Sequence, residues 1–173
     1  MPVSLYTATV GTFLQILPQV AGMIDKAEAH CTEQGLSSEA LTGACLSEDM
    51  WNFAKQVTST ATHSAGAIAA VKVGSFSPDR TPAPLDFAGL RAVITDAIAS
   101  LQAEDPIQIE ALVGRDTYFA FGDRRMDFTV EDFLLSFSMP NFYFHAATSY
   151  NILRNNGVTI GKMDFLGRPR IKA

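Results

Sequence analysis

Three histidines, His30, His63 and His145, are the side chains of this 173-residue chain best suited to proton transfer or metal ligation. An imidazole changes charge near neutral pH and its ring nitrogens serve equally as bases and as ligands. His145 lies in MPNFYFHAATSYNILRNNG, residues 139–157, the most aromatic run of the chain. At helical spacing its neighbours are Asn141 four residues back, Phe142 three back, Thr148 three on and Ser149 four on, with Tyr143 and Tyr150 at the sides. A helix that only filled a core would not bury so many polar atoms without partners. His63, in QVTSTATHSAGAIAA, sits one position off an apolar stripe. Taken alone, it reads as a partly buried histidine bonded to a neighbour. His30 follows KAEA near the end of the first helix, where its cation would suit the negative helix end.

The elements that must position these residues are mostly helical. Tyr6, Val10, Phe13, Leu17, Val20, Ile24, Ala27 and Cys31 recur in steps of three and four, predicting a helix from about Ser4 to Gln34 that stops at Gly35. Pro18 inside it removes a hydrogen bond and predicts a kink. LSSEALTGACL reads as a loop with room for one short turn, and SEDM as the capped start of a second helix at Ser47, ending before Gly74 with Met50, Phe53, Val57, Thr60, Ser64, Ala67, Ile68 and Val71 inward. FSPDRTPAPLD is a proline-rich connector, followed by a third helix from about Asp86 to Ala103. The period then changes. DTYFAF and MDFTV alternate about a turn containing Gly122 and Asp123, predicting a β-hairpin. Thr129 suits a cap for the last helix; Pro140 either kinks it or marks a fresh start with Ser138 as cap, and Asn156 and Gly157 end it. The tail VTIGKMDFLGRPRIKA has no clear period and is expected to wrap the surface or a partner subunit. The expected architecture is a single domain over residues 1–173, mainly all-α: a four-helix bundle with a small β-hairpin inserted before the last bundle helix.

Composition narrows the function classes. With 47% apolar residues the chain can bury a substantial core. Thirteen basic against eighteen acidic residues give a net charge of −5, with no basic stripe on any predicted helix, which disfavours nucleic acid as a partner. The apolar start lacks a charged leader region, and no apolar run approaches the ~20 residues of a membrane span, so a cytoplasmic location away from membranes is expected. Cys31 and Cys45 are then expected as free thiols. GDRR at 122–125 and the pair Glu131 and Asp132 read as an exposed turn and a helix start. Asp49 and Trp51 are candidates for a pocket wall, although an acidic first turn explains Asp49 equally well. The sequence contains no dinucleotide fingerprint, P-loop, nucleophile elbow or CxxC, and implies no nucleotide cofactor.

NFYFHAATSYNILRNNGV, with SLYTATVGTFLQIL near the start, THSAGA in the second helix and IGKMDFLGRP near the end, resembles an uncharacterised bacterial and fungal family of the DinB/YfiT-like superfamily. The resemblance covers essentially the whole chain and implies a DinB-like bundle. It further implies that a histidine late in the second helix and an HxxxH pair on the last bundle helix converge on a divalent metal, zinc or nickel. The superfamily's tail after that pair is similar to LLRQLGV. Matching it to ILRNNGV places the pair on Asn141 and His145, and the second-helix histidine on His63. Asn141 stands where the pattern has a histidine, so two of three imidazole ligands remain. A neutral amide oxygen is a poor third ligand for zinc or nickel. A helix beginning at Ser138 would also aim its positive end near His145, opposing a dication and keeping the imidazole neutral.

Three readings follow. In the first, His63, Asn141, His145 and Tyr143, with Phe142, Ser149 and Trp51, line a core pocket for a small organic molecule, with a degenerate metal site and acid/base chemistry open to His63, His145 and Tyr143. In the second, His63, His145 and Asn141 hold a divalent metal, as in a metal-dependent hydrolase or transferase of the DinB/YfiT-like type. In the third, the polar strip fixes helix register in a non-catalytic structural homodimer. The resemblance and the apolar last helix make a homodimer the expected assembly.

Overall fold

The structure, a computed structural model, describes residues 3–78 and 80–172. Four long helical stretches form the bundle. The first comprises α1 (Leu5–Ala8) and α2 (Val10–Gln34), capped at its start by the Ser4 hydroxyl, which accepts from the Thr7 amide, and at its end by Gly35 in the left-handed conformation at φ 64°. Pro18 lies inside the continuous α2, and the interruption falls closer to the start: Thr9, at φ −105° and ψ −75°, separates α1 from α2. One expectation is corrected here. Leu5–Gln34 is long and apolar enough to cross a bilayer by length and composition. Its apolar stripe, Val10, Phe13, Leu17, Val20 and Ile24, is instead fully enclosed by the rest of the bundle.

After the short α3 (Glu39–Thr42), the second stretch consists of α4 (Phe53–Ala61), a π-helical turn (Thr62–Gly66) and α5 (Ala67–Val73). It starts at Phe53 with Asn52 as cap, not at Ser47 as the sequence suggested. The Asn52 side chain accepts from the Lys55 amide, whereas the Ser47 hydroxyl donates to Asp49, leaving residues 47–52 as a bent segment that carries Met50 and Trp51. The third stretch, α6 (Phe87–Gln102), is capped by Asp86, and α7 (Pro106–Glu110) follows, capped by Asp105 with its proline in the first turn.

The hairpin forms as expected between β2 (Asp116–Phe121) and β3 (Arg124–Thr129), with Gly122 at φ 57° as the first turn residue. It is joined by β1 (Ser75–Phe76), which pairs with β2 in parallel and makes a three-stranded sheet. The last stretch runs from α8 (Val130–Asp132), capped by Thr129, through a second π-helical turn (Phe133–Ser138) into α9 (Met139–Asn155). Pro140 therefore starts no new helix: Ser138 is itself helical at φ −71° and ψ −46°. The expected N-terminal field at His145 is absent for that reason.

Around the bundle, α2 packs on α6 and α9, and α4 packs on the same two helices, which closes a ring of four. Arg91 of α6 ties to Asp25 and Glu28 of α2 at 2.7 and 2.5 Å. The tail wraps its own chain. It forms α10 (Lys162–Leu166) against α2, with Lys26 paired to Asp164 at 2.7 Å and Phe165 packed edge-on to Tyr150.

Candidate functional site

Where α4, its π turn and α9 meet the sheet, Asp49, Met50, Trp51, Gln56, His63, Pro78, Phe119, Phe137, Asn141, Phe144 and His145 surround a cavity of about 440 Å³. Both π turns border it: His63 lies in the first and Phe137 and Ser138 in the second. Such wide turns are frequent at functional sites. They bring the two helices together through Ser138, whose hydroxyl donates to the His63 carbonyl at 3.0 Å, while the Asn141 side-chain amide donates to the Phe137 carbonyl at 2.7 Å.

The rings of His63 and His145 lie 5.6 Å apart, centre to centre, at an interplanar angle of 23°. On its other side His145 stacks with Trp51 at 5.5 Å and 14°. His145 is 5% exposed. Its Nδ1 lies 2.7 Å from Gln56 Oε1, and Gln56 Nε2 donates to the Trp51 carbonyl at 3.2 Å. Because a carbonyl only accepts, this second bond orients the amide so that its oxygen faces the ring, and His145 Nδ1 must carry the proton. His63 Nδ1 lies 3.5 Å from Ser138 Oγ, whose own proton goes to the His63 carbonyl, so the hydroxyl is set to accept a proton from this nitrogen. Both Nε2 atoms are left as lone pairs. Thr117 Oγ1 is the buried side-chain polar atom without a hydrogen bond among the described residues; the two Nε2 atoms are not enclosed in that way, and both imidazoles line the cavity.

Burial holds both imidazoles neutral. It lowers His63 to about 4, helped by repulsion from His145, and lowers His145 to about 4, helped by the charge of Lys55.

Three side chains singled out in the sequence lie elsewhere. Phe142 is fully buried, with its ring 4.7 Å from Phe13 in the core. Tyr143, two residues before His145, is turned about 200° around the helix; it is 38% exposed, and burial raises its phenol against the opposing charge of Arg170. Ser149 shares the His145 face one turn on, but its hydroxyl donates to the His145 carbonyl at 3.0 Å, within the helix. Conversely, Gln56, Phe119, Phe137 and Phe144 line the cavity and were not anticipated. Gln56 had a signal: with Thr60 and His63 it makes a polar i, i+4, i+7 series on one face of the helix.

A cation bound at ~2.1 Å sits about 3.2 Å from each imidazole centre, so a tetrahedral angle separates two centres by about 5.2 Å. The observed 5.6 Å is close to that separation. A third ligand is lacking: among the described residues no group of three His, Cys, Asp or Glu converges, and Asn141 offers an amide oxygen. The set does not fit a tight zinc or nickel centre.

A ring of four helices with a small sheet at one end, and histidines from the second and last stretches facing each other across a cavity, defines a DinB-like helical-bundle protein. The chain belongs to the family described as domain of unknown function (DUF1993), whose model matches residues 5–166. It is similar to the crystal structure of a DinB family member protein from Shewanella denitrificans, at 26% identity and a TM-score of 0.81, over 98% of this chain and 95% of that one. No curated protein matches it.

Proposed function

We propose that this DinB-like protein binds a small organic molecule in the cavity between α4 and α9, with His63 and His145 as its hydrogen-bond acceptors. The observation that carries the reading is the pair of imidazoles, 5.6 Å apart and engaged through Nδ1, that line one cavity of about 440 Å³, within the usual range for small-molecule sites. Acid/base chemistry is the weaker role. A base near 4 lies about three units below neutral pH and abstracts protons poorly, whereas its lone pair still accepts a hydrogen bond.

The test is a screen of neutral fragments by amide and indole NMR. Hits are expected to shift the Trp51 indole together with both imidazoles, and to be lost in Asn141→Phe, which places a ring in the cavity. Shifts that spare Trp51, or that survive this variant, refute the reading. The ring spacing favours a second reading, a divalent cation held weakly by His63 and His145 with Asn141; loss of fragment binding on chelation would favour it. With the first reading go a cytoplasmic location and a homodimer through the exposed Tyr143 and Phe144 of α9, which light scattering of a monomer would exclude.

A further inference from the structure

The cavity's unengaged polar groups are predominantly of one kind. His63 and His145 each present a lone pair, because their Nδ1 protons face Ser138 and Gln56. Asn141 donates to the Phe137 carbonyl and leaves its amide oxygen. Asp49, exposed at the mouth, is a carboxylate that already accepts from Ser47. Gln56 is engaged at both ends, by His145 and by the Trp51 carbonyl. The walls are aromatic: Trp51, Phe119, Phe137 and Phe144. The Lys55 ammonium stands 5.5 Å from the Trp51 ring but is not among the lining residues, so an anion would meet acceptors with few donors to satisfy it, at the desolvation cost of a buried charge. A cation at the imidazole end would be equally costly, since among the described lining residues the carboxylate is the exposed Asp49. A neutral molecule that brings its own donor matches both the walls and the acceptors.

Resting on the small-molecule reading, we propose that the ligand is a neutral hydroxyarene, its ring among the aromatic walls and its O–H donated to Nε2 of His145 or His63. The hydroxyl is the element of recognition. A site built to accept a hydrogen bond rejects the analogue that lacks the donor, because its own buried acceptors are left unpaired.

Trp51, the single tryptophan of the chain, lines the cavity and reports occupancy by fluorescence. The probes are para-tert-butylphenol, para-tert-butylanisole and para-tert-butylbenzoate, titrated into the full chain at neutral pH. The phenol is expected to change Trp51 emission saturably, the anisole to bind at least about tenfold more weakly, and the benzoate not to compete. His145→Leu, and separately His63→Leu, are expected to narrow the gap between phenol and anisole. In the unmutated protein, long-range proton–nitrogen spectra are expected to show both imidazoles protonated at Nδ1. Anisole binding as tightly as phenol overturns the inference while leaving the cavity a small-molecule site. Tighter benzoate binding, an Nε2-protonated ring or no saturable response to the phenol also overturns it, and the fragment screen decides separately whether the cavity binds anything.

Discussion

The neutrality of His145 makes stability depend on pH in a defined window. The unfolded imidazole titrates near 6.5, and the folded one is held at about 4, chiefly by burial. The folded pKa is depressed, so the folded state binds fewer protons between these values. Stability is full above ~6.5, falls as pH drops through the window, and stops falling from this source below ~4. At pH ~5 the unfolded ring is almost fully charged while the folded ring is still neutral, and the linkage integral gives a loss of about 2 kcal/mol for His145 relative to pH ~7.5. Urea denaturation followed by far-UV circular dichroism at the two pH values measures it. Asp164 and Glu131, both lowered by hydrogen bonds, are common to the parent and the variant below and cancel in that comparison. His145→Leu should lose about 2 kcal/mol less than the parent on acidification, whatever its stability at neutral pH, because the difference between pH values cancels the effect of leaving Gln56 Oε1 unpaired. Equal losses in the two proteins would refute a buried neutral imidazole at this position.

Gln56→Ala is expected to destabilise by about 2 kcal/mol, since it leaves the buried His145 Nδ1–H without an acceptor, and nitrogen spectra of the variant should show a mixed tautomer. Thr117→Val is expected to raise the midpoint of thermal unfolding by the equivalent of about 1 kcal/mol: it removes a buried, unbonded hydroxyl at nearly constant volume. Elemental analysis of untagged protein is expected to find less than one tightly bound zinc or nickel per chain. Asn141→His, which adds a third imidazole one turn from His145, should bring zinc to about one per chain, and His63→Ala in that background should remove it.

The helices were legible where periodicity was long. The stripe from Val10 to Cys31 predicts its own burial, and Gly35, Asp86 and Thr129 mark ends that the backbone confirms. Two features were not legible, for different reasons. Ser47 and Asn52 are equally good caps by residue type, and the choice falls to Asn52 because Met50 and Trp51 are held on the non-helical segment that closes the cavity. β1 is two residues long, too short to alternate, and exists because Ser75 and Phe76 find Tyr118 and Phe119 beside them.

The π turns explain why the cavity wall was harder to read than the histidines. His63, Asn141, His145 and Trp51 stand out in the sequence as polar or amphipathic groups in apolar runs, whatever the local winding. Assigning their neighbours to a face assumes 3.6 residues per turn, and a π turn breaks that assumption by accommodating an extra residue, about 100° of rotation, between the elements it joins. Across Phe133–Ser138, residues before and after the turn therefore do not share the face that uniform spacing assigns, and Phe137 comes to the cavity. Within α9 the winding is regular again. There the four-residue step from Asn141 to His145 places both on the cavity, while Phe142 turns to the core and Tyr143 to the far side. The second turn sets where this face points, and the Ser138 hydroxyl on the His63 carbonyl joins it to the first. The facing imidazoles thus rest on two irregular turns bonded to each other, and recognition of any ligand by those rings depends on that join.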